Sequence, residues 1–188
     1  TPQVFMNQLK KEDIATLQEA LFMFPGVQIQ KRTLRDYTYN AAAHVLGSVG
    51  EVNQKDIDND PYYARGDYSG RDGLERTYEK QLRGEKGMEI FMRDVRGRMK
   101  GKYLNGEKDI AVQSGTDLHT TLDIQLQILA EQLLAGKIGS VVAIEPQTGE
   151  ILTLASDPTW NPKRLVGKER SKNYGVLLKA PTAPMVGR

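Results

Sequence analysis

Serine, lysine and carboxylate side chains are the residues of this chain whose spacing could support catalysis. One class of serine acyl-transferase combines three short motifs, S-x-x-K, S-x-N and K-T-G, around a serine nucleophile. The sequence contains no S-x-x-K. Ser171-Lys172-Asn173 fits S-x-N, and Lys137-Ile138-Gly139 approximates K-T-G. Patterns this short arise by chance, so we interpret residues 171–173 as a polar loop and residues 137–139 as the end of a helix before a strand.

Acidic residues at alternate positions form the start of a calcium-loop pattern. Asp56, Asp58 and Asp60 match D-x-D-x-D, but the sixth position is Pro61, where an EF-hand loop requires Gly. The twelfth position is Asp67 rather than the usual Glu. A solvated acidic loop is therefore the preferred interpretation, and a calcium site stays open as the alternative.

A second acidic group, Asp67, Asp72, Glu75 and Glu79, has the residue types of a glycosidase, which needs two carboxyl groups across a cleft. Their positions at the start and along the surface of a predicted helix favour capping and surface roles instead. The residues thus predict no catalytic group.

Histidines and nucleotide motifs offer no further chemistry. His44 and His119 are far apart in sequence, and neither has ligand partners at metal-binding spacing, so each is predicted to be a packed or surface histidine. The sequence has no P-loop or dinucleotide fingerprint. We therefore expect neither a metal nor a cofactor.

Composition narrows the protein class. The 188 residues are 39% hydrophobic, which is typical of a globular protein, and 26 Lys+Arg against 24 Asp+Glu leave a net charge of +2. Because the positive charge is spread along the chain, nucleic acid is not an expected partner. The absence of cysteine excludes disulfides and thiolate nucleophiles. No apolar run reaches the roughly 18 to 20 residues that cross a bilayer. Because the chain starts without Met, we expect an upstream membrane anchor in the parent protein.

The first third of the chain predicts short helices and strands. Apolar residues at helical spacing predict an amphipathic helix over 8–26, ended by Pro25-Gly26. Residues 27–39 favour one or two strands, and 41–52 a short helix followed by a strand. The polar segment 53–67 is predicted to be a loop with a short helix near its end.

Residues 67–84 predict a helix that is specified at both ends. Asp72 and Glu75 have the spacing of a capping box, and Glu79 and Arg83 that of an i,i+4 ion pair. Gly84 occupies the position of a left-handed residue that ends a helix. Leu74, Tyr78 and Leu82 lie along one predicted face, which must pack on another part of the molecule.

The second half predicts a hairpin, a helix and another hairpin. Residues 87–104 alternate apolar and polar around an Arg-Gly turn, and 139–156 form a hairpin that turns at Pro146 to Gly149. Between them lies a helix capped by Thr120 or Thr121, with Asp123 in its first turn. Beyond Trp160 no periodicity is predicted, and the tail is expected to wrap another surface.

Several of these segments together resemble one protein family. The stretch from residue 70 to 84 is similar to the G-x-x-G-L-E-x-x-Y-E-x-x-L-x-G signature of class B penicillin-binding proteins. The matching residues are Gly70, Gly73, Leu74, Glu75, Tyr78, Glu79, Leu82 and Gly84. Four further matches follow in family order: FPG with R-x-Y (24–26 and 35–37), AAHVLG (42–47), G-x-D-L-x-x-T-x-D-x-x-L-Q (115–127), and VVAIEPQTGEILTLAS-x-P with a later N-P pair (141–158 and 161–162). The best match is the penicillin-binding protein 2 subfamily of cell elongation.

The resemblance implies an α+β fold in two parts. Residues 1–112 would form a pedestal, or dimerisation, domain of short helices and antiparallel strands. Residues 113–188 would supply a helix and a β-hairpin that begin an incomplete transpeptidase domain. In the family, the acylating serine and its lysine lie beyond the position of Arg188, so no catalytic residue can be placed on this chain.

The resemblance also implies a cellular setting. The parent would be a peptidoglycan D,D-transpeptidase that binds stem peptides and β-lactams at the periplasmic side of the cytoplasmic membrane. Its pedestal would contact the scaffold protein MreC and a SEDS-type glycosyltransferase. The helix of residues 73–83 would then hold the pedestal together.

Two other functions stay open at this point. A self-contained peptidoglycan- or protein-binding module predicts a cooperatively folded C-terminal part and affinity for glycan or stem peptide. A calcium- or carboxylate-dependent hydrolase predicts that changing Asp58 or Glu75 abolishes turnover without unfolding. Separately, the unfinished sheet should leave open edges at strands 140–144 and 151–155, which predicts self-association of the chain through that region.

Overall fold

The computed structural model describes residues 6, 9, 11–24, 26, 27, 29, 35–167 and 169–180. Seven α-helices lie in this part of the chain: α1 (Lys11–Ala20), α2 (Ala43–Leu46), α3 (Gln54–Asn59), α4 (Gly73–Thr77), α5 (Glu79–Leu82), α6 (Ile124–Leu134) and α7 (Arg170–Lys179). Three 3₁₀ turns are also present, at Leu21–Met23, Tyr103–Gly106 and Pro162–Leu165. Among the described residues, no helix reaches the length and apolarity that crossing a bilayer requires.

The described strands form three separate antiparallel pairs. They are β1 (Val49–Glu51) with β2 (Tyr68–Gly70), β3 (Phe91–Arg93) with β4 (Met99–Lys102), and β5 (Gly139–Ile144) with β6 (Ile151–Asp157). Val49 lies opposite Gly70 in the first pair, and Val141 lies opposite Ala155 in the third. The predicted α+β class is confirmed, as are the hairpins predicted over 87–104 and 139–156.

Two small groups of buried residues hold these elements together. The first surrounds α2 and β1, and its apolar members are Tyr37, Ala41, Ala42, Ala43, Val49 and Val52. The second lies where α6 packs on β6, around Gln127, Ala130, Thr153 and Ala155. We call α6, β5 and β6 the helix–hairpin unit, and the residues up to 112 the N-terminal part.

In the N-terminal part the predicted elements are largely confirmed. α1 and the 3₁₀ turn after it confirm residues 11–23 of the helix predicted over 8–26, whereas Pro25 lies outside the described residues. Residues 28 and 30–34 of the one or two strands predicted over 27–39 also lie outside them, and the described residues 27, 29 and 35–39 are not in a strand. α2 and β1 confirm the short helix and strand predicted over 41–52.

The helix in the polar segment 53–67 begins at the start of that segment, so its predicted position near the end is wrong. The reason is a capping box. The Asn53 side chain accepts a hydrogen bond from the Asp56 backbone N–H at 3.0 Å, and the Asp56 carboxylate accepts one from the Asn53 N–H at 2.7 Å. These reciprocal bonds satisfy two of the free donors at the start of α3.

The C-terminal region differs from the prediction in two places. Asp123, and not Thr120 or Thr121, caps α6, because its carboxylate accepts from the backbone N–H groups of Gln125 and Leu126. The prediction that periodic structure ends at Trp160 is wrong, since the 3₁₀ turn at Pro162–Leu165 and α7 both follow it. Residues 181–188 of the predicted tail lie outside the described part.

Candidate functional site

The family-like stretch 70–84 lies at the centre of the N-terminal part. It begins at the end of β2 and contains α4 and α5, which are separated at Tyr78 by a local change in backbone angles (φ −106°, ψ 19°). Leu74, Tyr78 and Leu82 are half-buried. We call residues 70–84 the motif segment.

Glu75 is the buried charge of the motif segment, with 8% of its surface exposed. Its carboxylate accepts hydrogen bonds from Arg35 Nε at 3.1 Å and from the Tyr37 hydroxyl at 3.4 Å. Burial raises the pKa of the Tyr37 phenol well above its usual range, and the neighbouring Glu75 carboxylate adds to the rise. A buried carboxylate is tolerated where such donors surround it, so Glu75 ties α4 to the segment at residues 35–37.

Asp72 precedes α4 but does not cap it with its side chain. Its carboxylate instead accepts a 2.6 Å hydrogen bond from the Ser48 hydroxyl, next to β1. The predicted capping box of Asp72 and Glu75 is therefore wrong, because both carboxylates bind donors from other parts of the chain.

The predicted i,i+4 pair of Glu79 and Arg83 is also wrong. Glu79 accepts hydrogen bonds from the Tyr63 hydroxyl at 3.1 Å and from the Gly70 backbone N–H at 2.8 Å. Arg83 donates to Asp60 at 2.7 Å, and its guanidinium lies 3.8 Å from the centre of the Tyr62 ring. Hydrogen bonds from Arg83 and from the Tyr62 N–H lower the pKa of Asp60. α5 is thus bound to the loop that follows α3.

The glycines of the motif segment allow backbones to approach one another closely. A Cβ on Gly70 would lie 2.2 Å from the Glu75 carbonyl oxygen. Gly73 has φ +58°, and a Cβ there would lie 2.5 Å from the carbonyl oxygen of Val45 in α2. Gly84 ends α5 with φ +66°, as predicted, and a Cβ there would lie 2.2 Å from the Gln113 carbonyl oxygen. Any side chain at these positions would separate the segments.

The acidic residues predicted as alternatives for metal binding or hydrolysis have separate partners. Asp56 forms a 2.8 Å ion pair with Arg71, and Asp58 accepts a hydrogen bond from Gln54 at 2.9 Å. In the part of the chain that the structure describes, no group of three His, Asp or Glu side chains could hold a metal ion. The carboxylates of the motif segment likewise bind structural donors.

The two short catalytic-like patterns lie in helical surroundings. Ser171 to Asn173 belong to α7, and the Asn173 side chain donates to the Arg164 carbonyl oxygen at 2.8 Å. The interpretation of residues 171–173 as a loop is therefore wrong. Lys137 follows α6 and donates to the Leu133 carbonyl oxygen at 2.6 Å, which confirms its interpretation as the end of a helix.

Contacts of α2 and the residue before it, made to α6 and to residues just after β6, join the two halves of the molecule. The Glu131 carboxylate on α6 accepts a 2.7 Å hydrogen bond from the backbone N–H of Ala42. His44 packs edge-on against Trp160, with ring centres 4.4 Å apart, and its Nε2 donates to the Pro158 carbonyl oxygen at 3.2 Å. His44 is thus an exposed histidine that contacts Trp160, in line with the predicted packed or surface role.

α7 adds a further contact from the C-terminal side. Arg170 donates from Nε to the Val49 carbonyl oxygen on β1 at 2.7 Å. Burial, and then the charge of Arg71, lower the pKa of its guanidinium. We call this contact, together with those of Ala42 and His44, the junction. Sequence reasoning missed the contacts of Glu131 and Arg170, and the AAHVLG match at 42–47 was the signal that could have directed attention there.

The sequence model of the family described as "Penicillin-binding Protein dimerisation domain" matches residues 1–120. Among curated proteins, the peptidoglycan D,D-transpeptidase MrdA of Escherichia coli (strain K12) is 36% identical over 189 residues, covering 97% of this chain and 29% of MrdA. The chain therefore spans less than a third of the length of that relative.

Solved structures with the same fold include the complex between penicillin-binding protein PBP2 and MreC from Helicobacter pylori. Its match has a TM-score of 0.77 at 25% identity and covers 95% of this chain and 33% of the other. A structure of a peptidoglycan synthase complex that coordinates polymerization and crosslinking matches with a TM-score of 0.67 at 24% identity, over 95% of this chain and 33% of the other. At 24% identity, the similarity to the peptidoglycan synthase complex shows a shared fold only.

Proposed function

Because this chain belongs to the penicillin-binding protein dimerisation-domain family, we propose that it is the non-catalytic pedestal region of a peptidoglycan D,D-transpeptidase. Residues 1–112 form the pedestal, and residues 113–188 open the transpeptidase domain. The sequence lacks S-x-x-K, so the acylating serine of the parent lies elsewhere in the longer protein. The motif segment holds the pedestal together.

The observation that carries this proposal is the junction. Three contacts, from Ala42, His44 and Val49, join the pedestal to α6, to the residue that follows β6 and to α7. A domain that contacts its neighbour at several separate points can fix the orientation of that neighbour. The pedestal therefore positions the transpeptidase domain, and it takes no part in the reaction.

The parent faces the periplasm and is anchored in the cytoplasmic membrane by a helix upstream of this chain. Its pedestal binds the MreC protein of the same organism and works beside a SEDS-type glycosyltransferase in cell-wall elongation. The support for the first partner is that PBP2 from Helicobacter pylori, which has this fold, forms a complex with MreC. Isothermal titration of MreC into the 188-residue chain tests the first partner. Saturable heat at a fixed stoichiometry supports the proposal, and the absence of heat at several temperatures counts against it.

Fluorescent penicillin labelling tests the division of roles. We expect no covalent label on the 188-residue chain and strong label on a protein extended downstream in the same gene. An excess of unlabelled penicillin, added first, should prevent the second signal. Label on the short chain would reveal a nucleophile within it, and an unlabelled long protein would show that transpeptidase chemistry has been lost.

A further inference from the structure

Ala42 has a backbone conformation that is unusual for its residue type. Its φ of 58° and ψ of 27° place it in the left-handed region, at the residue that precedes α2. Only 4% of its surface is exposed. Residues with a Cβ pay a conformational cost in this region, and they stay there where neighbouring groups hold them. Something must therefore keep Ala42 in place.

The Ala42 carbonyl oxygen accepts from the Val45 and Leu46 N–H groups of α2. Glu131 holds the Ala42 N–H from across the junction. Its Oε1 accepts the Ala42 N–H at 2.7 Å, which is short for a bond from a backbone amide and typical of a charged acceptor. The two residues are 89 positions apart, and they lie on opposite sides of the junction. The bond therefore connects the pedestal to the start of the transpeptidase domain.

Gln127 fixes the Glu131 carboxylate from behind. It lies one helical turn earlier on α6 and is 1% exposed. Its side-chain amide donates to Glu131 Oε1 at 2.9 Å and to the Leu154 carbonyl oxygen at 3.0 Å. Its side-chain oxygen accepts the Leu154 N–H at 2.9 Å. Because both ends of the Gln127 amide are bound, the position of Glu131 relative to β6 is set.

We propose that Glu131 is the positioning residue that sets the orientation of the pedestal against the helix–hairpin unit, acting through the left-handed backbone of Ala42. This inference rests on the proposed positioning function. β6 fixes Gln127, Gln127 fixes Glu131, and Glu131 fixes the residue from which α2 begins. Loss of the carboxylate frees Ala42 to leave the left-handed region, and this turns α2 away from α6.

Two spin labels measure the orientation directly. The chain has no cysteine, so Lys80→Cys on α5 and Gln147→Cys in the β5–β6 turn give one labelled pair across the junction. Lys55→Cys with Lys80→Cys gives a control pair within the pedestal. Distances between the two labels, measured by double electron–electron resonance, are then compared for four chains. These are the chain without further substitution, Glu131→Ala, Glu131→Gln and the exposed neighbour variant Gln132→Ala.

We expect Glu131→Ala to broaden or shift the distances across the junction while those of the control pair stay unchanged. Exchange of the Ala42 amide should become about tenfold faster or more, because its charged acceptor is lost. Glu131→Gln, whose side-chain oxygen still accepts a hydrogen bond, should give distances and exchange rates between those of Glu131→Ala and the unsubstituted chain. Gln132→Ala should match the unsubstituted chain. Ala42→Gly in the Glu131→Ala background should narrow the distances again, since glycine adopts this conformation without strain.

Two outcomes overturn the inference. In the first, Glu131→Ala leaves the distances across the junction unchanged. In the second, both labelled pairs broaden together and the Leu154 amide exchanges as fast as that of Ala42, which makes Glu131 a general stabilising residue. Penicillin labelling of the longer protein separates this inference from the proposed function: a loosened junction with an unchanged labelling rate would retain Glu131 as the anchor and reject the positioning role of the pedestal.

Discussion

The buried Glu75 gives the most quantitative prediction about the motif segment. Replacing it by alanine removes the acceptor for Arg35 and for Tyr37, at 3.1 and 3.4 Å. The Tyr37 side chain is almost fully buried, so water cannot replace the lost partner there. The Arg35 side chain is 37% exposed, so water partly compensates at the guanidinium.

The expected loss of stability follows from these two bonds. A hydrogen bond to a charged group contributes about 1.5 to 3 kcal/mol, and partial exposure of Arg35 places its bond near the lower end. The longer bond from the phenol contributes about 0.5 to 1 kcal/mol. Glu75→Ala should therefore lower the free energy of unfolding by about 2 to 3 kcal/mol.

Urea unfolding of matched variants measures this loss. Glu75→Gln keeps an acceptor oxygen and should lose about half as much, whereas the exposed control Glu107→Ala should stay within about 0.5 kcal/mol of the parent. A double-mutant cycle with Tyr37→Phe should give a coupling energy of about 0.5 to 1 kcal/mol. If Glu75→Ala matches Glu107→Ala, the assignment of Glu75 as a buried tie between α4 and residues 35–37 is incorrect.

Three further predictions concern the motif segment, alkaline pH and the open hairpin edge. Gly84→Ala should lower the free energy of unfolding by about 2 to 4 kcal/mol, because the new Cβ would meet a backbone carbonyl. Gly149→Ala, where φ is similar but the space is open, should lower it by only about 1 kcal/mol. Equal losses in urea unfolding would refute the close approach of the Gly84 and Gln113 backbones. The raised pKa of Tyr37 keeps the folded phenol neutral while the unfolded phenol ionises at about pH 10. The free energy of unfolding should therefore be unaffected by Tyr37 below about pH 10 and should fall above it by up to about 1.4 kcal/mol per pH unit. A Tyr37→Phe variant whose free energy of unfolding falls equally steeply above about pH 10 would contradict this. The open edge of β5 predicts concentration-dependent self-association in light scattering, which Val142→Lys should abolish and Val95→Lys should not; a parent chain that stays monomeric at high concentration would contradict it.

Local patterns predicted those elements whose signals depend on near neighbours. The helix-ending Gly84 and the hairpin turn around Gly149 were predicted correctly, because each glycine serves a turn formed by its sequence neighbours. The capping box of Asn53 and Asp56 is equally local, but it was missed because the polar composition of residues 53–67 suggested a loop.

Side-chain partners could not be predicted where the spacing allowed more than one partner. Glu79 and Arg83 have i,i+4 spacing, yet Arg83 pairs with the loop after α3, and Glu79 accepts from that loop and from the Gly70 N–H in β2. An exposed helical pair is worth only about 0.5 kcal/mol, and partly buried partners with better geometry win over it. Thr121 was a plausible cap for α6, but its hydroxyl donates to Ile151.

The junction was the least predictable part of the candidate site. α7 has no clear apolar periodicity, and its Arg170 contacts Val49, which lies 121 residues earlier in the chain. The left-handed backbone of Ala42 has no signal in its residue type, since alanine normally avoids that region. Contacts of this kind depend on the assembled fold and not on local sequence.

The measurement that tests the central claim most directly is ¹⁵N relaxation of the 188-residue chain in solution. If the junction fixes the pedestal against the helix–hairpin unit, amides of residues 37–112 and of residues 122–157 should report one rotational diffusion tensor. Two tensors, with a shorter correlation time for each part, would show that the parts tumble independently. That result would contradict a pedestal that positions the transpeptidase domain.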